Sequence, residues 1–318
     1  MRKESEMISW RPQEKISRFL RKASVMQSDS LKNYNSEGME NDKHFFFILG
    51  TPRSGTKWFS KFFSTDEVFC FHELTLLCHG TLQSHRRALM SFKPIPGNSL
   101  ESQLHRLFYL YPSFGRHMYH KLYESRHYIA CGNSDSAQMN LTLALNHIFP
   151  HVKFLIVLRN GFDVALSLEK KMMEPDTEKI IENHKKRIIE EHGYHCENLF
   201  EIACWRWRNG TERLLKNTAH LAQDRTMLVN FETVFSNPET LESIWNFLLA
   251  GKVPFNAPRA EKLFHEPANK GIHEKAGGKT IKERWLCLDV EKKGSFTKIA
   301  GPFIQGLPSY TGWPDLDF

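Results

Sequence analysis

Two stretches of the chain put charged and hydroxyl side chains where an anion could be held. The first is Gly50-Thr-Pro-Arg-Ser-Gly-Thr-Lys-Trp58, between an apolar run and a helical pattern. A glycine-containing turn of this kind presents successive backbone N–H groups at a helix N-terminus, where the dipole also favours negative charge. Arg53 and Lys57 add charge to such a cradle, and Ser54 and Thr56 add hydroxyl donors. The plainer reading is a tight turn that uses glycine for backbone freedom. The second stretch is Arg159-Asn-Gly-Phe-Asp-Val-Ala-Leu-Ser167. Asn160 as N-cap with Asp163 at N3 would alone explain a helix start there. Ser167 shares a helix face with Asn160 and Asp163, so Arg159 and Ser167 could converge on a second anion.

The first loop nearly matches the nucleotide-triphosphatase pattern G-x-x-x-x-G-K-[ST], but Thr56-Lys57 inverts the last pair. In that pattern the lysine reaches the terminal phosphates and the following hydroxyl holds Mg²⁺, so the inverted order misplaces both. A magnesium-dependent P-loop kinase acting on a small molecule is therefore the alternative enzyme.

The elements that must hold these loops can be read from the apolar runs. His44–Leu49, ending at Gly50, has the continuous apolar texture of a strand buried on both faces of a parallel sheet. Comparable runs lie at 128–131, 152–158 and 227–231, with a short strand-like piece at 68–71. Helix-compatible stretches lie between them, at 58–63, 140–148, 162–173, 180–191, 196–215 and 238–249. This alternation predicts an α/β protein of three layers, a central parallel β-sheet of P-loop NTPase-like topology flanked by helices. Residues 1–42 read as a polar arm, partly disordered or a surface helix, and 43–318 as the catalytic domain. The Lys- and Gly-rich segment 256–283 reads as a long loop, and 301–318, with Pro302, Pro308 and Pro314, as an irregular wrap.

Composition excludes other classes. With 41% hydrophobic and 25% charged residues in 318, the chain is neither disordered nor fibrous. The formal net charge of +7 suits an anionic partner, yet no nucleic-acid recognition module accompanies it, so no nucleic acid is expected. The longest apolar runs fall far short of the ~20 residues of a transmembrane span, and no signal peptide stands out. Six scattered cysteines without a C-x-x-C pair indicate a reducing compartment, hence a cytoplasmic protein, and no metal site. His192, His195, Cys196 and Cys204, and likewise Cys70, His72, Cys78 and His79, lack zinc-site spacing and read as solvated or core residues.

Taken together, the two motifs resemble those of the PAPS-dependent sulfotransferases, whose first loop reads roughly [ST]-x-P-[KR]-S-G-T-x-W and whose second reads R-[ND]-x-x-D-x-x-x-S. A third echo, Met227-Leu-Val-Asn-Phe-Glu-Thr-Val-Phe-Ser-Asn-Pro238, is similar to the family's strand and Y-E-D-[LM]-x-x-[ND]-P. The likeness spans roughly 42–249 and looks closer to the tyrosylprotein, carbohydrate and bacterial types than to the cytosolic phenol and steroid type. It implies metal-independent, in-line transfer of a sulfuryl group from 3′-phosphoadenosine 5′-phosphosulfate (PAPS) to an acceptor hydroxyl or amine. By position it implies that Arg53, Ser54, Gly55, Thr56 and Lys57 bind the 5′-phosphosulfate, with Trp58 near the adenine, and that Arg159 and Ser167 bind the 3′-phosphate. Arg53 would also stabilise the leaving oxygen. Glu73, after the strand-like piece, stands where related enzymes carry a catalytic glutamate. His72 competes as base because its ordinary pKa lies near neutrality.

Two departures stand out. Relatives often carry a lysine in G-x-K-[ST]-P, whereas this chain reads Cys131-Gly-Asn-Ser-Asp-Ser136. Lys57, Lys270, Lys279 or Lys282 would have to substitute, or the chain is a non-catalytic PAPS- or PAP-binding protein. Phe231 stands where the family usually has tyrosine. The segment 74–126, rich in His, Arg, Phe and Tyr, is expected to contribute to the acceptor pocket; the acceptor could be a carbohydrate, peptide, lipid or small alcohol.

Overall fold

The computed structural model describes residues 43–79, 84, 88, 97–111, 113–124, 127–149, 151–175, 177–236, 238–265 and 281–307. The polar arm 1–42, Lys270, Lys279 and the end of the tail lie outside the described residues. Five strands form one sheet: β1 (His44–Gly50), β2 (Val68–His72), β3 (Ala130–Ser134), β4 (Lys153–Leu158) and β5 (Thr226–Asn230). Their order is β2-β3-β1-β4-β5, and every pairing is parallel. Parallel pairing forces each connection back across a face of the sheet, so all five strands deliver their C-terminal ends to the same edge.

The continuous apolar run of β1 works because its residues alternate between two cores. Phe45, Phe47 and Leu49 point to one side, with Phe149 and Phe154. On that side pack α3 (Leu100–Leu110), α4 (Phe114–Glu124) and α5 (Thr142–Ile148). Phe46 and Ile48 point to the other, against α1 (Thr56–Phe63) and α10 (Pro238–Leu249). Aromatic rings lock this second face: Phe63 stacks on Trp245 at 5.4 Å and Trp58 on Phe62 at 5.1 Å. The observed architecture is thus the expected three-layer α/β fold. A third core joins α6 (Gly161–Met172), α7 (Glu178–His192) and α8 (Leu199–Thr218) to α12 (Ile281–Leu286) and α13 (Val290–Gln305). The remaining helices are α2 (Leu74–Leu77), α9 (Phe231–Ser236) and α11 (Ala257–His265).

Three expectations are corrected. The loop expected over 256–283 is helical at both ends, in α11 and α12. Asn256 starts α11 by accepting a hydrogen bond from the Arg259 N–H at 3.0 Å. The wrap expected from Gly301 is helical over its first five residues, because α13 runs to Gln305 and tolerates Pro302 within its final turn. The strand expected at 128–131 lies at 130–134, since its last residues are polar but buried in the sheet. Among the described residues no helix is long and apolar enough to cross a membrane.

Candidate active site

The loop after β1 folds back onto its own strand: a Cβ at Gly50 would lie 3.1 Å from Ser54 Cβ and 3.2 Å from the Val157 carbonyl oxygen. Arg53 (φ 74°) and Gly55 (φ 93°) are both left-handed, which bends the loop sharply just ahead of α1. The Ser54 N–H donates to the Thr51 carbonyl at 3.1 Å, and the Thr51 and Ser54 hydroxyls share a 2.6 Å hydrogen bond. Gly55 is the N-cap of α1 and brings no side chain to its first amides, so the helix start is open to an anion. Trp58 is only 3% exposed, and its indole N–H donates to the Leu263 carbonyl at 3.2 Å. It anchors α1 and offers little ring to a ligand.

The second motif sits beside the first. Asn160 caps α6, accepting from the N–H groups of Phe162 at 3.0 Å and Asp163 at 3.5 Å. The cap leaves Arg159 at the end of β4, where its guanidinium donates to the Arg53 carbonyl at 2.7 Å and lies 4.9 Å from the centre of the Phe231 ring. The Trp207 indole N–H holds the Arg159 carbonyl at 3.2 Å. Arg53 in turn donates through Nε to the Ser167 hydroxyl at 2.7 Å, across 114 residues of sequence. Burial pushes the Arg159 guanidinium below its ordinary pKa, opposed by the carboxylates of Glu232 and Asp163. Burial also raises the Glu232 carboxyl, which accepts the Asn160 N–H at 2.9 Å. Asp163 is held by Arg284 of α12 in a two-pronged ion pair at 2.7 and 3.2 Å.

Phe231 carries more than its missing hydroxyl suggested. A Cβ on Gly55 would fall 2.1 Å from its ring, so Phe231 lies flush against the loop and beneath Arg159. One aromatic face supports both motifs.

His72 and Glu73 follow β2. Glu73 is left-handed (φ 55°), and its N–H donates to the Ser134 carbonyl at 3.2 Å. The next amide, Leu74, donates to Asn133 Oδ1 at 3.2 Å, and Thr75 donates its N–H at 3.3 Å and its hydroxyl to Asp135 Oδ2. Asp135 Oδ1 also accepts the Ala137 N–H at 2.8 Å. The polar end of β3 therefore grips the segment carrying the two candidate bases. Burial lowers the His72 pKa, Asp135 opposes that shift, and Lys57 adds to it. Counting from the glycine of the family's G-x-K-[ST]-P, Ser134 takes the lysine position, and its hydroxyl donates to the Thr56 carbonyl at 2.8 Å.

The predicted catalytic and donor-binding residues thus gather at the C-terminal edge of the sheet, Arg53 to Trp58 after β1, His72 and Glu73 at the end of β2, Arg159 and Ser167 after β4. Sequence reasoning missed Asn133, Asp135 and Arg284; the signal available for the first two was a polar run closing an apolar strand. Among the described residues no three His, Cys, Asp or Glu side chains are grouped to hold a metal ion.

Parallel strands in the order 2-3-1-4-5, with the two motif-bearing loops after the first and fourth, define a three-layer α/β protein. Residues 46–249, more than half of the chain, match the model described as the sulfotransferase family. The chain belongs to that family. It is similar to the sulfotransferase domain from the curacin biosynthetic pathway, at 18% identity over 84% of this chain and 99% of that one, with a TM-score of 0.48. Sulfotransferase STF9 from Mycobacterium avium is similar at 13% identity over 95% and 88%, with a TM-score of 0.44. Mouse sulfotransferase SULT7A1 complexed with PAP is similar at 12% identity over 89% and 92%, with a TM-score of 0.42. No curated protein matches the chain in sequence.

Proposed function

We propose that the protein transfers a sulfuryl group from PAPS to an acceptor hydroxyl or amine. The observation that carries this reading is the meeting of two anion-binding motifs through the Arg53–Ser167 hydrogen bond of 2.7 Å. A donor with phosphate groups at both its 3′ and 5′ positions requires two such sites, whereas a kinase requires one and a metal. The residues suit the donor: α1 begins without a side-chain cap, and the Arg159 Nε atom is buried with no hydrogen-bond partner among the described residues. The 5′-phosphosulfate is assigned to Arg53, Ser54, Gly55, Thr56 and Lys57, and the 3′-phosphate to Arg159 and Ser167. Trp58, expected near the adenine, is assigned to bracing α1 on that side.

In-line transfer requires a base on the acceptor hydroxyl. Glu73 is the proposed base. His72, held neutral at pH 7 by burial, is the competing one. Arg53 and the loop amides stabilise charge on the leaving oxygen, a role that the lower charge of a sulfuryl group lets them fill without a metal. The domain is assigned to 43–318 with 1–42 as an arm, and the free cysteines suit the cytoplasm.

Calorimetry with PAP in the presence of a chelator tests the donor reading. Saturable, metal-independent binding is expected, and binding of ATP only with Mg²⁺ would favour the kinase instead. Ser134 at the lysine position favours a second reading, a PAPS or PAP binder without turnover. Labelled sulfate transferred from PAPS into any compound of a cell extract rules the binder out; PAP binding with no labelled product supports it.

A further inference from the structure

Beside the donor loops lies a concentration of arginine charge that the transfer chemistry does not use. On α8, Arg206, Gly210, Arg213 and Asn217 fall on one face, four, three and four residues apart. That face fronts the active-site edge of the sheet. A Cβ on Gly210 would sit 3.1 Å from Thr51 of the donor loop, and the Asn217 amide donates to the Met139 carbonyl at 2.7 Å just beyond β3. Arg206 and Arg213 therefore flank the point where the helix touches the loop, one turn to either side. The start of α3 meets the end of the same face through Asn98, whose amide donates to Asn217 Oδ1 at 2.5 Å. Gln103, bonded to Asn98 at 3.0 Å, stands three residues before Arg106 and so turns Arg106 toward Arg213.

Arg106, Arg206 and Arg213 are all half-buried. Among the described residues, none of the three makes a hydrogen bond or ion pair. The carboxylates in range are Glu212 and Glu191, and Glu191 is already bonded to Arg187 at 2.6 Å. Burial, then Arg187 and Arg106, push Arg213 below its ordinary pKa against Glu191 and Glu212, and burial, Arg206 and Arg187 lower that of His184. Partly desolvated charges that make no ion pair are costly to keep, and a planar guanidinium is the group best shaped to receive an oxyanion in two-pronged fashion. Arg106 lies within electrostatic range of Tyr111, Tyr111 of Asp135, and Asp135 grips the segment that follows His72 and Glu73.

We propose that Arg106, Arg206 and Arg213 form the anion-recognising half of the acceptor site, so that the acceptor carries a carboxylate or sulfate besides the hydroxyl or amine that receives the sulfuryl group. This rests on the sulfotransferase reading of the neighbouring loops. The anion would complete the arginine cluster and hold the reacting group toward Glu73, on the α3 side of the donor loop.

The test compares two probes of matched shape that differ by one charge, 4-hydroxyphenylacetate and its methyl ester, titrated by calorimetry into the PAP-saturated full chain. The acid is expected to bind at least tenfold more tightly than the ester. The Arg206→Gln/Arg213→Gln double variant is expected to lose that preference while its PAP Kd stays within twofold. Equal affinity for acid and ester, no saturable binding of the acid, or a preference that survives in the double variant would overturn the proposal. So would a tenfold rise in PAP Kd in the double variant, because the arginines would then serve the donor. Should the double variant fail to fold, Arg106→Gln on the separate helix α3 must by itself lower the preference. If the wild-type chain does not bind PAP, the donor reading falls, and the same acid–ester comparison on the free protein still decides the arginine site.

Discussion

Glu73 combines two unusual properties: it is a non-glycine residue in the left-handed region and it directly follows a strand of the active-site edge. Such a conformation costs about 1 to 2 kcal/mol, and the Ser134 carbonyl that receives its N–H is what holds it. Glu73→Gln keeps the size and removes the base, so kcat for sulfate transfer should fall by about 10²-fold or more while PAP affinity is unchanged. Unaltered turnover in that variant, with the loss appearing in His72→Asn, would move the role to the histidine. Gly55 makes the opposite demand at residue scale. Its φ of 93° and the ring of Phe231, 2.1 Å from where a Cβ would stand, exclude any side chain. Gly55→Ala should destabilise the protein by ~2 to 4 kcal/mol in urea unfolding and weaken PAP binding at least tenfold.

At the scale of elements, the site is built at strand ends, from the last residues of β2 and β3 and from the loops and helix starts that follow β1 and β4. β1 and β4 were legible in the sequence because strands buried on both faces must be apolar throughout. β3 was legible only in its first half. Asn133, Ser134 and Asp135 look like the start of a loop, yet each is at most 2% exposed, because Asn133 Oδ1, the Ser134 hydroxyl and the Asp135 carboxylate bond the backbone of Leu74, Thr56 and Thr75. No periodicity marks such a strand end. Likewise α3 and α4 were hidden in a segment whose His, Arg and Tyr content suggested a pocket before it suggested helices. The grip of β3 on α2 can be tested through Asp135, whose two carboxylate oxygens accept three hydrogen bonds. Asp135→Asn replaces one acceptor oxygen by a donor amide that faces N–H groups. Stability should drop by ~1 to 3 kcal/mol. If the grip positions the base, kcat should fall about tenfold with PAP affinity within twofold, whereas a purely structural role would lower stability and leave kcat per folded molecule unchanged.

At the scale of the whole molecule, what the sequence concealed is long-range convergence. The two donor motifs could be read because each is a contiguous string with its own chemistry. Arg284 on Asp163, Phe231 under Arg159, and the arginines of α3 and α8 share no spacing that predicts their meeting; only the packing of helices on the sheet brings them together. That packing leaves a charge imprint that can be measured by stability. Burial first, then the neighbouring Arg206 and Arg187, press the pKa of His184 on α7 down to about 4, from an ordinary value near 6.5. The unfolded chain therefore binds a proton at His184 across the window from pH 6.5 to 4 that the folded chain refuses. Stability from this group is complete above pH 6.5 and declines as pH falls through the window. Other groups titrate there too, including His72, pressed down, and Asp135 and Glu232, pressed up by burial, so the difference between the chain and a variant is the informative quantity. His184→Gln should lessen the loss of stability between pH 7 and 4.5 by about 1 to 2 kcal/mol, a range discounted for partial solvent screening. Arg206→Gln, which leaves the histidine in place and removes its neighbour's charge, should flatten the same curve by a smaller amount. Urea unfolding of the three proteins at pH 7.5, 6.5, 5.5 and 4.5 measures both effects. Parallel curves for all three would mean that the arginine field does not reach His184, and would weaken with it the case for a common positive site across α3, α7 and α8.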